Sequence, residues 1–194
     1  MTIAIRSGMS PRTPILLSLL PALLLAFDAR ADMKLPEGET YFSVGPLFSF
    51  SGRSHEEEKQ LGLGVEATLN FVDKLGALGA FAQVQLMDGQ SNGQYARLCG
   101  GLQGTLLFLG MELGLMHETA DRNHVATTGL HLAPYVAFVF GSLGVRFGIP
   151  LTGPGTTGPG GQEKPRHGSE VGLVLTLKLP FQVDGPGGIT PLGR

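Results

Sequence analysis

Between Gln60 and Phe71 every second residue is apolar, and that alternation leaves little choice of backbone. Leu61, Leu63, Val65, Ala67, Leu69 and Phe71 form one set, and Gly62, Gly64, Glu66, Thr68 and Asn70 form the other. Successive side chains of a strand point to opposite faces, so this spacing gives one greasy face and one small or polar face. The same period of two recurs in Thr40–Phe50, Ala77–Met87, Gln94–Gln103, Leu107–Met116, Leu130–Phe140, Leu143–Leu151 and Glu170–Phe181. Each segment is close to the roughly 9–11 residues that a tilted strand needs to cross a bilayer. Together the eight segments predict an all-β chain, folded as a closed antiparallel up-and-down transmembrane β-barrel.

Alternation also suits a soluble barrel, so the content of the two faces has to decide between them. A soluble ligand-binding barrel points its large apolar residues inward. Here that would leave a water face made mostly of glycine, in a chain with 30 glycines and only 15% charged residues. It would also crowd leucines and phenylalanines into the narrow interior that eight strands enclose. With the faces reversed, the apolar set meets lipid and the small set lines the lumen. Glu66, Glu112 and Glu170 then share that lumen with Arg97, Arg146 and Lys178. Three acids and three bases form a balanced network, which buried charges require. A one-residue slip in register would send Glu66, Arg97, Glu112, Arg146 and Lys178 to the apolar side together. Phe42, Phe71, Phe108, Phe140 and Phe181 all fall toward one end of the strands, where they predict an aromatic girdle at the membrane interface. The soluble alternative is a periplasmic lipocalin-like binding barrel.

The first residues read as an export address. Residues 1–12 carry Arg6 and Arg12 and no acid, residues 13–27 are a short apolar run, and Ala29-Arg30-Ala31 precedes Asp32. These are the three parts of a secretory signal peptide, with cleavage expected between Ala31 and Asp32. The expected layout is a signal peptide at 1–31, a short periplasmic segment at 32–39, a barrel at 40–181 and a periplasmic tail at 182–194. Connections Val72–Gly76, Gly104–Leu106 and Gly141–Ser142 are short, whereas Ser51–Lys59, Asp88–Gly93, His117–Gly129 and Thr152–Ser169 are longer. Short turns on the periplasmic side and longer loops outside give that alternation.

Chemistry-bearing motifs are sparse. Cys99, the single cysteine, reads as a small buried side chain. His117, Glu118, Asp121 and His124 match no tight ligand spacing and read as a polar surface loop, so neither a metal nor a cofactor is assigned. Glu56-Glu57-Glu58 reads as a solvated loop. Gly153–Gly161 is followed by no Gly-Lys-Ser/Thr and is no phosphate loop. A net charge of −2 gives no electrostatic basis for nucleic-acid binding.

Over residues 40–181 the architecture resembles the small eight-stranded outer-membrane barrels, of the OmpA transmembrane-domain and OmpX kind. Leu177, Leu179 and Phe181 look like the aromatic-ended last strand that the barrel-assembly machinery reads in that family. The resemblance implies a non-enzymatic outer-membrane protein with a side-chain-filled lumen and a structural, adhesive or surface-interaction role. Its implied partners are outer-membrane lipid and lipopolysaccharide, the assembly machinery during biogenesis, and an extracellular ligand met through the loops. Other small barrels are lipid A-modifying enzymes with a His and a Ser on the lipid-facing wall. Here His131 is followed by Leu132 and Ala133, without that Ser, and falls on the inward set.

Overall fold

The computed structural model describes residues 37–54, 56–89, 93–152, 155, 164–184 and 188–191. They form β1 (Glu37–Arg53), β2 (Glu56–Asp73), β3 (Gly76–Gly89), β4 (Gly93–Leu106) and β5 (Leu109–Glu118), then β6 (Thr127–Phe138), β7 (Gly141–Pro150), β8 (Glu170–Leu177), β9 (Leu179–Asp184) and β10 (Gly188–Pro191). Every neighbouring pair is antiparallel, and β1 closes the ring by pairing β2 on one side and β8 and β9 on the other. Because β8 and β9 continue one another along β1, interrupted only at Lys178, the closed wall has eight staves in up-and-down order. Closure leaves no edge strand unpaired around the ring.

Phe181 is not the end of the strand. β9 runs on to Asp184, and β10 folds back along it, with Gly188 opposite Asp184 and Pro191 opposite Phe181.

At the loop end of the barrel the strands outrun the sequence expectation. Ser51 pairs Gln60 and Gly52 pairs Lys59, so most of the expected Ser51–Lys59 loop is ladder and only residues 54–55 connect β1 to β2. At the opposite end the turns are Lys74–Leu75, Leu107–Phe108 and Val139–Phe140. Two of them were expected elsewhere, at Gly104–Leu106 and Gly141–Ser142. Leu107, Phe108, Val139 and Phe140 are all apolar, and hydrophobic periodicity cannot distinguish an apolar turn from a strand end. Leu107 takes a left-handed φ of 58°, and its N–H donates to the Leu75 carbonyl at 2.7 Å.

The two faces separate cleanly. Leu61, Leu63, Val65, Leu86, Leu102 and Leu113 stand exposed on the outer wall, Leu86 at 68%. Glu66, Arg97 and Arg146 lie inside at 0%. Leu47 breaks the polar pattern of the inner set and is also fully buried.

Glycine makes room for the interior. Phe81, Gly101, Gly114 and His131 lie side by side across β3, β4, β5 and β6. The two glycines have no side chains between the flanking rings, and Phe81 and His131 meet with ring centroids 5.2 Å apart. Cys99 sits close by, in a buried cluster with Phe81 and Met116.

Candidate functional site

The lumen is filled by two polar layers, and a third cluster lies at the loop-bearing mouth. Strand phase determines who enters: on each stave the residues two apart from an inward glycine or serine also point inward. In the layer nearer the short turns, Lys178 forms an ion pair with Glu66. Gln83 Nε2 donates to Glu66 Oε2 at 3.0 Å and to Glu112 Oε2 at 3.1 Å. His131 Nε2 lies 2.9 Å from Glu112 Oε2. Arg146 reaches across from β7 and donates to the side-chain oxygens of Gln85 at 2.6 Å and Gln83 at 2.7 Å, both on β3.

In the second layer Arg97 donates from Nε and Nη2 to Glu118 Oε1, at 3.0 and 2.6 Å, and also pairs with Glu170. Arg53 Nη2 donates to Glu118 Oε1 and to the Tyr95 hydroxyl, both at 2.8 Å. Tyr95 in turn donates to Gln60 Oε1 at 2.7 Å. Three of these ties cross between opposite staves: Arg53 on β1 to Glu118 on β5, Arg146 on β7 to β3, and Arg97 on β4 to Glu170 on β8.

The mouth cluster joins two loops. Asp121 and His124 come from the connection between β5 and β6, and His167 comes from the one before β8. Asp121 Oδ1 accepts from the backbone N–H groups of Asn123 at 2.7 Å and His124 at 2.6 Å. His124 Nδ1 lies 3.0 Å from Asp121 Oδ2, and the His124 and His167 rings stack with centroids 4.7 Å apart. His167 Nε2 faces the Thr119 carbonyl at 3.0 Å, and its Nδ1 faces the Arg53 guanidinium.

Burial would raise the Asp121 carboxyl, but the hydrogen bonds from the His124 ring and from the two backbone N–H groups hold it below the usual aspartate range. Burial depresses the His167 imidazole, and this outweighs the pull of Glu118.

All six residues expected in the lumen lie inside the barrel, but not all as acid–base pairs. Glu66 meets Lys178 and Arg97 meets Glu170. Arg146 finds glutamines, and Glu112 finds His131 and Gln83. Of the expected aromatic residues, Phe71, Phe108 and Phe140 stand exposed on or beside the short turns. Phe42 and Phe181 pair at the same end, with ring centroids 6.5 Å apart. Ala31, Asp32 and the expected signal peptide lie outside the described residues.

One expectation needs correcting. His117, Glu118, Asp121 and His124 are not a uniformly solvated loop: Glu118 and His124 are buried, as is the Asp121 side chain, and only His117 is exposed. Glu118 continues the inward phase of Glu112, Gly114 and Met116, as Arg53 continues that of Ser49 and Ser51. Extending the period by one step finds both. His167 sits in a loop, where no period points to it.

No protein-family model matches the chain, and comparison finds no matching curated protein and no matching solved structure.

Proposed function

We propose that this chain is an outer-membrane barrel whose lumen is sealed by its own side chains and whose loop-bearing rim meets the cell's surroundings. One observation carries the reading: the wall is apolar outside and ionic inside. Leu61, Leu86 and Leu102 are each more than 60% exposed, whereas Glu66, Arg97 and Arg146 are fully buried. Water would leave that wall unstable as a free surface, while hydrocarbon suits it and demands the complete backbone pairing that closure provides. Phenylalanines at the short-turn end fit an interfacial belt.

The lumen favours a structural or surface-interaction role over conduction, because charged side chains tie opposite staves through its centre. An apolar binding cavity of the lipocalin kind has little support, since ion pairs and glutamines run through the interior beside the few buried apolar side chains, while most leucines stand exposed on the outer wall. Among the described residues a lipid A-modifying role finds no His–Ser pair around His131, which is buried against Phe81 and Glu112. Partners on this reading are outer-membrane lipid and lipopolysaccharide, the assembly machinery, and an external ligand at the loops.

Cell fractionation combined with heat-modifiable gel migration tests the proposal. The expected result is recovery in the outer-membrane fraction, and a band whose mobility changes on boiling. Recovery as a detergent-free soluble protein would overturn it.

A further inference from the structure

We propose that Asp121, His124 and His167 form a binding site for a divalent transition metal ion of the Zn²⁺ class, which ties the loop after β5 to the loop before β8. The three side chains are buried, and one ligating atom from each lies within 4.8 Å of the others. His124 Nδ1 and His167 Nδ1 are already 3.0 and 3.9 Å from Asp121 Oδ2. An ion with bonds of about 2.0–2.2 Å holds such atoms roughly 3.3 Å from one another, so the widest separation must close by up to about 1.5 Å through side chains on loops. Two imidazoles and a carboxylate are the donor set of zinc-class ions, and three protein ligands leave a fourth position for water or an external ligand.

Two further observations point the same way. His167 Nε2 lies 3.0 Å from the Thr119 carbonyl, which assigns the ring proton to Nε2 and the lone pair to Nδ1, the nitrogen that faces Asp121. A backbone carbonyl behind the ring is the usual orienting partner of a metal-ligating histidine. The charges also favour a cation. Among the described residues the buried ionic groups at this end are the carboxylates of Glu118, Asp121 and Glu170 against the guanidiniums of Arg53 and Arg97. That leaves one surplus negative charge with both imidazoles neutral.

An arriving ion displaces the Arg53 guanidinium from His167 Nδ1. Arg53 keeps Glu118 and the Tyr95 hydroxyl, each at 2.8 Å, so the displaced group remains paired. His124 ligates through Nδ1 once its ring proton is carried on Nε2, and no net charge leaves the protein.

The test uses the tag-free full chain in detergent micelles, titrated with Zn²⁺ by calorimetry and with Co²⁺ by visible absorption. The expected result is one ion per chain, with the d–d bands of nitrogen and oxygen ligation. His167→Ala and His124→Ala each lose at least the roughly 10–100-fold in affinity that removing an orienting partner alone costs. His117→Ala, on the exposed outer face, leaves binding unchanged. Heat-modifiable migration of each variant separates loss of the site from loss of the fold. Absence of binding by the folded wild-type chain would overturn the proposal, as would binding that survives His167→Ala.

Discussion

Arg97 of β4 and Glu170 of β8 meet across the lumen from staves that stand opposite one another in the closed ring. Both side chains are buried, and Arg97 also holds Glu118. Removing one partner of a buried pair strands a charge, which typically costs about 3–5 kcal/mol. Arg97→Met is therefore expected to lower stability by about that amount in urea unfolding of the refolded barrel. The double variant Arg97→Met, Glu170→Leu should recover part of the loss, because the stranded carboxylate is gone. A single variant as stable as wild type would show that the pair does not hold the lumen together.

The outer wall makes a prediction of the opposite kind. Val84 lies near the middle of β3, 55% exposed, beside Val65 and Leu98 on the neighbouring staves. In a bilayer, Val84→Arg should cost about 2–4 kcal/mol, the depth-dependent penalty for a cation at the midplane. Unfolding measured in lipid vesicles reads this directly. A neutral substitution would count against hydrocarbon around the wall.

Gly101 and Gly114 face each other between the Phe81 and His131 rings. A Cβ at Gly101 would run into the backbone of Leu113 and Gly114, so nothing there can yield by a simple rotation. Gly101→Val should destabilise by about 1–3 kcal/mol through overpacking. Gly52 is the control: its Cβ would meet nothing, and Gly52→Ala should stay within about 0.5 kcal/mol of wild type. Equal effects at the two sites in thermal unfolding would refute the packing account.

Acid should loosen the mouth before the wall. Burial holds the His167 imidazole below its ordinary value, amid Arg53, Glu118, Asp121 and His124. The unfolded chain therefore takes up a proton near pH 6.5 that the folded one refuses, so this contribution is present above about pH 6.5 and fades as pH falls. Asp121, whose carboxyl is held low, adds a second loss only below about pH 4. Hydrogen exchange in the metal-free protein should show residues 119–126 and 164–169 losing protection between about pH 7.5 and 5, with the strands unchanged. Loop protection that is flat across this range would contradict the assignment.

The wall was legible because each strand repeats one rule many times over. From Leu61 to Phe71 six alternate residues agree on the face, and in β1 the single exception Leu47 does not outweigh Phe42, Val44, Phe48 and Phe50. The ends were less legible because turns here are apolar: Leu107–Phe108 and Val139–Phe140 continue the greasy composition of the strands they end. Glu118 and Arg53 lay within reach of the same rule but beyond the loop boundaries drawn from composition. Partner choice was not legible, since the period shows that Arg146 enters the lumen but not that it meets Gln83 and Gln85. The Asp121–His124–His167 cluster depends on His167 packing against residues about forty positions earlier in the chain, and no local pattern encodes that meeting.

The ties between opposite staves also bear on shape. Flattening a hollow tube into an oval shortens one diameter and lengthens the one at right angles. Arg53 to Glu118, Arg146 to Gln85 and Arg97 to Glu170 fix three of the four diameters that eight staves define, so an oval distortion must stretch or crush at least one of them. On the proposed membrane reading, lateral pressure from a crowded bilayer would thus meet a stiff ring, and the strand ends at its mouth would keep constant spacing as the surroundings press and relax.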